Sequence, residues 1–75
     1  MAVKVIAFGQ LTEITGAEIF IEARDTDILK ATLHKKFPHL AGMKYAIAVN
    51  NAIITENITL SNKDEVALMP PYSGG

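Results

Sequence analysis

Apolar residues recur along this chain with a period of two in several short stretches and a period near four in one longer stretch, with polar clusters between them. Residues 3–8 (VKVIAF) are rich in β-branched and aromatic residues and apolar on both alternating faces apart from Lys4, which predicts a strand buried in the middle of a sheet. Gly9 breaks that run. Leu11 and Ile14, three apart, then allow one or two helical turns over residues 10–15, closed by Gly16 in the left-handed conformation. Residues 18–22 (EIFIE) predict a second strand, bounded by Gly16 and the polar cluster from Arg24 to Asp27. The next stretch changes period. Leu29, Leu33 and Phe37 recur at four-residue intervals with Ile28 and the aliphatic stem of Lys36 beside them, while Lys30 and His34 fall on the other side. Asp25 or Thr26 can cap this helix, Asp27 suits its first turn, and Lys35 and Lys36 suit its last. Pro38 disfavours helical geometry at Phe37 and marks the end. Residues 45–49 predict a third strand, and Asn50-Asn51 suits the positive φ angles of a tight hairpin into residues 52–54. After a looser stretch over 55–62, residues 65–69 (EVALM) form the last strand.

One amphipathic helix covers one face of a small mixed sheet, so the pattern predicts an α+β protein of two layers, four to five strands with the helix laid diagonally across them. A strand returning through that helix crosses over right-handed. The second sheet face is left partly bare.

Composition narrows the reading. At 75 residues the chain holds one domain, near the lower limit for a sufficient core. Hydrophobic residues are 49% and charged residues 20%, as in globular proteins. A net charge of -1, from 8 acidic and 7 basic residues, argues against nucleic acid or an anionic membrane as partner. The absence of cysteine excludes disulfides, thiolate metal sites and protein thiol chemistry. No leader pattern or bilayer-length apolar run is present, so a cytoplasmic location is expected, and Asn57-Ile58-Thr59 reads as a turn rather than a glycosylation site.

Conventional catalytic groupings are missing as well. His34 and His39 are separated by a helix end and lack carboxylate or thiolate company, which predicts solvated side chains and no metal site. Asp25 with Asp27 fits helix capping, and Asp64 with Glu65 fits a turn before a strand. Ser73 has no nearby base. What stands out is the ending, Met69-Pro70-Pro71-Tyr72-Ser73-Gly74-Gly75, where two prolines stiffen a stalk and two glycines leave the final carboxylate unobstructed. The expectation is a folded domain over 1–69 and an extended arm over 70–75.

Three stretches carry a family resemblance: Phe8 to Gly16 (FGQLTEITG), Ile47-Ala48-Val49-Asn50, and above all Asp64 to Gly75 (DEVALMPPYSGG). Through them the whole chain resembles the small, sulfur-carrying subunit of molybdopterin synthase, of the MoaD/ThiS-type ubiquitin-like family. Lys63 stands where that family usually has a glycine, and Tyr72 where a small aliphatic residue is common. The resemblance implies a β-grasp fold and a sulfur carrier rather than an enzyme. The Gly75 carboxylate, with Gly74 before it, would be adenylated and converted to a thiocarboxylate that donates sulfur to a cyclic pterin precursor of the molybdenum cofactor. ATP would be used by a ubiquitin-activating-like adenylyltransferase, no cofactor would be held by this chain, and the catalytic pocket would belong to the large subunit of the synthase. Phe8, Leu60, Met69, Pro70, Pro71, Tyr72 and Ser73 would be the partner-binding residues. The alternatives are a thiamine-pathway sulfur carrier, a modifier conjugated to other proteins through Gly75, and a plain interaction module.

Overall fold

The computed structural model describes residues 2–70. The first strand, β1 (Ala2–Ala7), turns Val3, Val5 and Ala7 to the interior, and Lys4 and Ile6 to the other face. Gly9 then takes a φ of 61° and starts a 3-10 turn, Gly9–Leu11, that runs into the one-turn helix α1 (Thr12–Thr15). Gly16 closes α1 with its N–H donated to the Thr12 carbonyl at 2.9 Å, but its φ of 87° goes with a ψ of 165°. The expected left-handed helical cap is therefore an extended turn. Its reason is local: the chain must enter β2 (Glu18–Glu22) at once, antiparallel to β1, and the Ala7 N–H already donates to the Ala17 carbonyl at 3.0 Å.

The main helix, α2 (Thr26–Lys36), begins where the sequence indicated. Asp25 caps it by accepting from the Ile28 N–H at 2.8 Å, which satisfies one of the amide donors left over at a helix start. A second cap comes from a distance. Asn57 Oδ1 accepts from the Asp27 N–H at 2.8 Å and from the Thr26 hydroxyl at 3.1 Å, and Thr26 Oγ1 accepts from the Ile58 N–H at 2.9 Å. Pro38 ends α2 at Phe37 and immediately supplies the first residue of another helical turn, α3 (Pro38–Ala41), which the period-based reading did not anticipate. That turn delivers Leu40 to the core.

β3 (Ala46–Val49) and β4 (Ala52–Ile53) are joined by Asn50 and Asn51, whose φ angles of 50° and 72° are those of the predicted hairpin turn. β5 (Glu65–Met69) follows a turn through Asn62 and Lys63. Asp64 ties that turn down, accepting from the Ser61 N–H at 2.8 Å and from Asn50 Nδ2 at 3.0 Å. Positive φ among the described non-glycine residues is confined to Asn50 and Asn51, so Lys63 holds its place without left-handed strain.

The strand order is β2-β1-β5-β3-β4, with β1 parallel to β5 and every other pairing antiparallel. β5, rather than β1, occupies the centre, and β1 lies beside it with neighbours on both sides. Under α2 the sheet contributes Val3, Val5, Ile21, Ile47, Val66 and Leu68, and the helices contribute Leu29, Leu33 and Leu40. Leu11 and Leu60 belong to the same cluster. The opposite face of the sheet has no helix among the described residues.

Candidate functional site

Strand alternation determines what the uncovered face shows. Ile6 pairs with both Glu18 and Ala67, Ala67 with Ala48, and Ala48 with Ile53, so one row of mostly apolar side chains crosses all five strands. Alongside it run Met69 with Ala46, and Phe20 with Lys4 and Glu65. Small side chains hold the middle of the face. Large ones stand at its rim, where Phe8 is 47% exposed, Ile53 57% and Phe20 61%. Lys4 sits between two carboxylates and pairs with Glu18 at 3.2 Å and Glu65 at 3.8 Å. These half-exposed ion pairs add little stability, on the order of 0–1 kcal/mol each. They mainly fix where charge lies.

Because β5 is central, the chain leaves the sheet at its middle, and the corner after β1 shapes that exit. The Phe8 N–H donates to the Leu68 carbonyl at 3.0 Å, holding the corner against the end of β5. A Cβ placed on Gly9 would lie 3.0 Å from Pro70 Cγ, and the φ of Gly9 is one that side chains resist. Gly9 therefore serves both the turn and the close approach of Pro70. Phe8, Met69 and Pro70 come together there, Met69 and Pro70 half-buried. Pro71, Tyr72, Ser73, Gly74 and Gly75 lie outside the described residues.

Leu60 is a correction. It is 4% exposed and belongs to the interior cluster, and its N–H donates to the Arg24 carbonyl at 2.8 Å, which holds its loop against the strand-to-helix connection. His34 is another, since it is half-buried and its Nε2 lies 2.7 Å from the Tyr45 hydroxyl, with the two rings edge to face. Burial raises the Tyr45 phenol above its usual acidity constant. Hydrogen bonds from Asn50 and from the Ser61 backbone hold the Asp64 carboxyl below its usual range. A cleft of about 510 Å³ opens beside His34 and Tyr45, between α2 and the loops around β3 and β4. Among the described residues no group of three or more metal-ligating acidic, histidine or cysteine side chains comes together. No helix among them is long and apolar enough to cross a membrane.

The residues that sequence reasoning missed on the open face are Ile6, Phe20 and Ile53. A signal existed for Phe20: in EIFIE the alternation sends Ile19 and Ile21 inward and leaves an aromatic residue on the side where a polar one would serve a solvated surface.

The model of the ThiS family matches residues 5–75. The chain belongs to the ThiS family. Its members are ubiquitin-like sulfur carriers, and the assignment covers nearly the whole sequence. Among solved structures, the complex of subunits 1 and 2 of molybdopterin-converting factor from Helicobacter pylori 26695 contains a chain with 36% identity and a TM-score of 0.76, covering 100% of both chains. SAMP1 from Haloferax volcanii has 22% identity and a TM-score of 0.75, again over 100% of both, and shares the β-grasp fold.

Proposed function

We propose that this sulfur carrier is the small subunit of a molybdopterin synthase and carries its sulfur as a thiocarboxylate on Gly75. The observation that supports this reading most strongly is the full-length likeness, at 36% identity, to a chain from the molybdopterin-converting factor complex. The geometry at Pro70 agrees with it. Pro70, where the arm begins, follows the central strand β5 and packs against Gly9, in a corner held by the Phe8 N–H bond to the Leu68 carbonyl. Six residues follow Met69, and at roughly 3.3 Å each an extended arm reaches on the order of 20 Å, enough to enter a partner's active site.

A free carboxylate is a weak electrophile, so the Gly75 carboxylate would first attack the α-phosphorus of ATP on an adenylyltransferase, releasing pyrophosphate and giving an acyl-adenylate. A sulfur donor then displaces AMP and leaves the thiocarboxylate. Gly74 and Gly75 carry no Cβ to block that attack or a narrow channel. The thiocarboxylate passes its sulfur to a cyclic pterin held in the pocket of the large subunit. This chain contributes the carried atom, and the partner contributes the catalytic groups.

The test is intact-mass measurement after incubation with the activating enzyme, ATP and a sulfur source, followed by addition of the large subunit and pterin precursor. A species heavier by one oxygen-to-sulfur exchange should form and then disappear. Its failure to form overturns the carrier chemistry. Its formation without consumption favours the thiamine-pathway reading, which the family match also admits. Deleting Gly75 should abolish the shift while leaving the melting temperature unchanged.

A further inference from the structure

β2 is the outermost strand at one side of the sheet, and among the described residues no strand pairs with its outer edge. It is five residues long and regular, the kind of edge that invites another strand unless charge or a bulge blocks it. Its open-face side chains are Glu18, Phe20 and Glu22, opposite Ile6, Lys4 and Ala2. Phe20 is the most exposed large apolar residue described, at 61%. The other side of the edge offers an apolar residue as well. Helical geometry places Asp27, Lys30 and His34 on the flank of α2 that faces the cleft near β3 and β4. Ile28, Thr32 and Lys35 therefore occupy the opposite flank, and Ile28 is 37% exposed there.

We propose that this edge accepts an extended segment of a partner protein as a sixth strand, with cationic side chains at two positions four apart and apolar side chains between them. The main-chain groups of β2 would provide the ladder, and alternate side chains would provide selectivity. Glu18, Glu22 and Glu65 outnumber Lys4 here, so the local field is negative, and cross-strand partners of opposite charge are favoured over like ones. The same charges disfavour a second copy of this chain. Two β2 strands fully overlapped and antiparallel would set Glu18 against Glu22 in both directions. β2 is separated from β5 by β1, about 10 Å away at ordinary strand spacing, so an added strand leaves Met69 and Pro70 uncovered. A partner held there could stay bound while the arm is used.

The experiment titrates the ¹⁵N-labelled full chain with the blocked peptide Lys-Val-Val-Val-Lys and follows amide shifts. Saturable shifts centred on Glu18 to Glu22 and on Ile28, weakening as salt is raised, are expected. The Glu18→Lys, Glu22→Lys double variant, checked for an unchanged circular dichroism spectrum and melting temperature, should bind roughly tenfold more weakly. The peptide Glu-Val-Val-Val-Glu should give no saturable shift. The proposal is overturned by absence of saturation with the lysine peptide, by shifts centred on Phe8 or Ile53, by equal binding of the two peptides, or by self-association of the free chain through β2.

Discussion

The two faces of the sheet are built from the same five strands and differ in almost everything else. Under α2, Val3, Val5, Leu29, Leu33, Val66 and Leu68 are fully enclosed, and each is held by neighbours from at least one other element. On the far face, Phe8, Phe20 and Ile53 are about half exposed and have nothing over them among the described residues. Burial of the first set drives folding, since apolar area removed from water stabilises by about 25 cal/mol per Å². The second set contributes little to that, because the area it exposes stays in water in the free chain. The face that holds the molecule together and the open face are thus separated by one sheet thickness, and β5 belongs to both.

The strongest way to break this comparison is to truncate one residue on each side. Leu33→Ala should lower the unfolding free energy by about 2–5 kcal/mol in denaturant titration, while Phe20→Ala should lower it by about 0.5 kcal/mol. Equal losses would mean the open face is structural. Gly9→Ala tests the junction where the faces meet at the arm root. It should cost about 1–2 kcal/mol from the positive φ alone, and should also move the Pro70 resonances, because the new methyl needs the space the proline ring fills. A chain that melts like the parent would remove Gly9 from the account. Asn57→Ala, which takes two donors' acceptor from the start of α2, should cost about 1 kcal/mol by thermal melting. Tyr45→Phe should cost about 0.5–1 kcal/mol and shift the His34 ring signals, since it deletes the hydroxyl at 2.7 Å.

The smallest effect is a pH dependence at the hairpin end of the sheet. Asp64 has its carboxyl depressed in the folded state, so it binds protons less readily folded than unfolded. Its contribution is full above the ordinary carboxylate value of 3.8 and is lost as pH falls below it toward the folded value. Asp64→Asn should therefore flatten the acid limb of the melting-temperature profile slightly. An unchanged limb would show that Asn50 and Ser61 do not favour the charged form.

Most elements were legible because their signals are local. Asp25 caps α2, Asn50-Asn51 turns the hairpin and EVALM forms β5 because each depends on residues within one turn or one strand. Where the reading fell short, the cause was distant in sequence or had two roles. Pro38 was taken only as a stop, although a proline that ends one helix is also suited to begin the next. Asn57 was taken as a turn residue, and its capping role depends on a partner some thirty positions away. His34 was expected in solvent because its place on α2 faces away from Leu29 and Leu33. The strand that arrives beside it, with Tyr45, was not visible from the helix alone.

The candidate site divides in the same way. The Gly-Gly ending, the prolines before it and the lack of any thiol are written in the chain, since they concern what a short backbone can do without neighbours. Period and capping likewise determined the strands and the main helix α2, though not α3. The order β2-β1-β5-β3-β4 was decided only in three dimensions, and that order places the arm's root mid-sheet, brings Gly9 against Pro70 and gathers Phe8 with Met69. It also drew Leu60 inside and left Phe20 outside. Side-chain alternation tells which residues share a face, but only the packing of a helix against one of those faces decides which becomes core and which stays open to a partner.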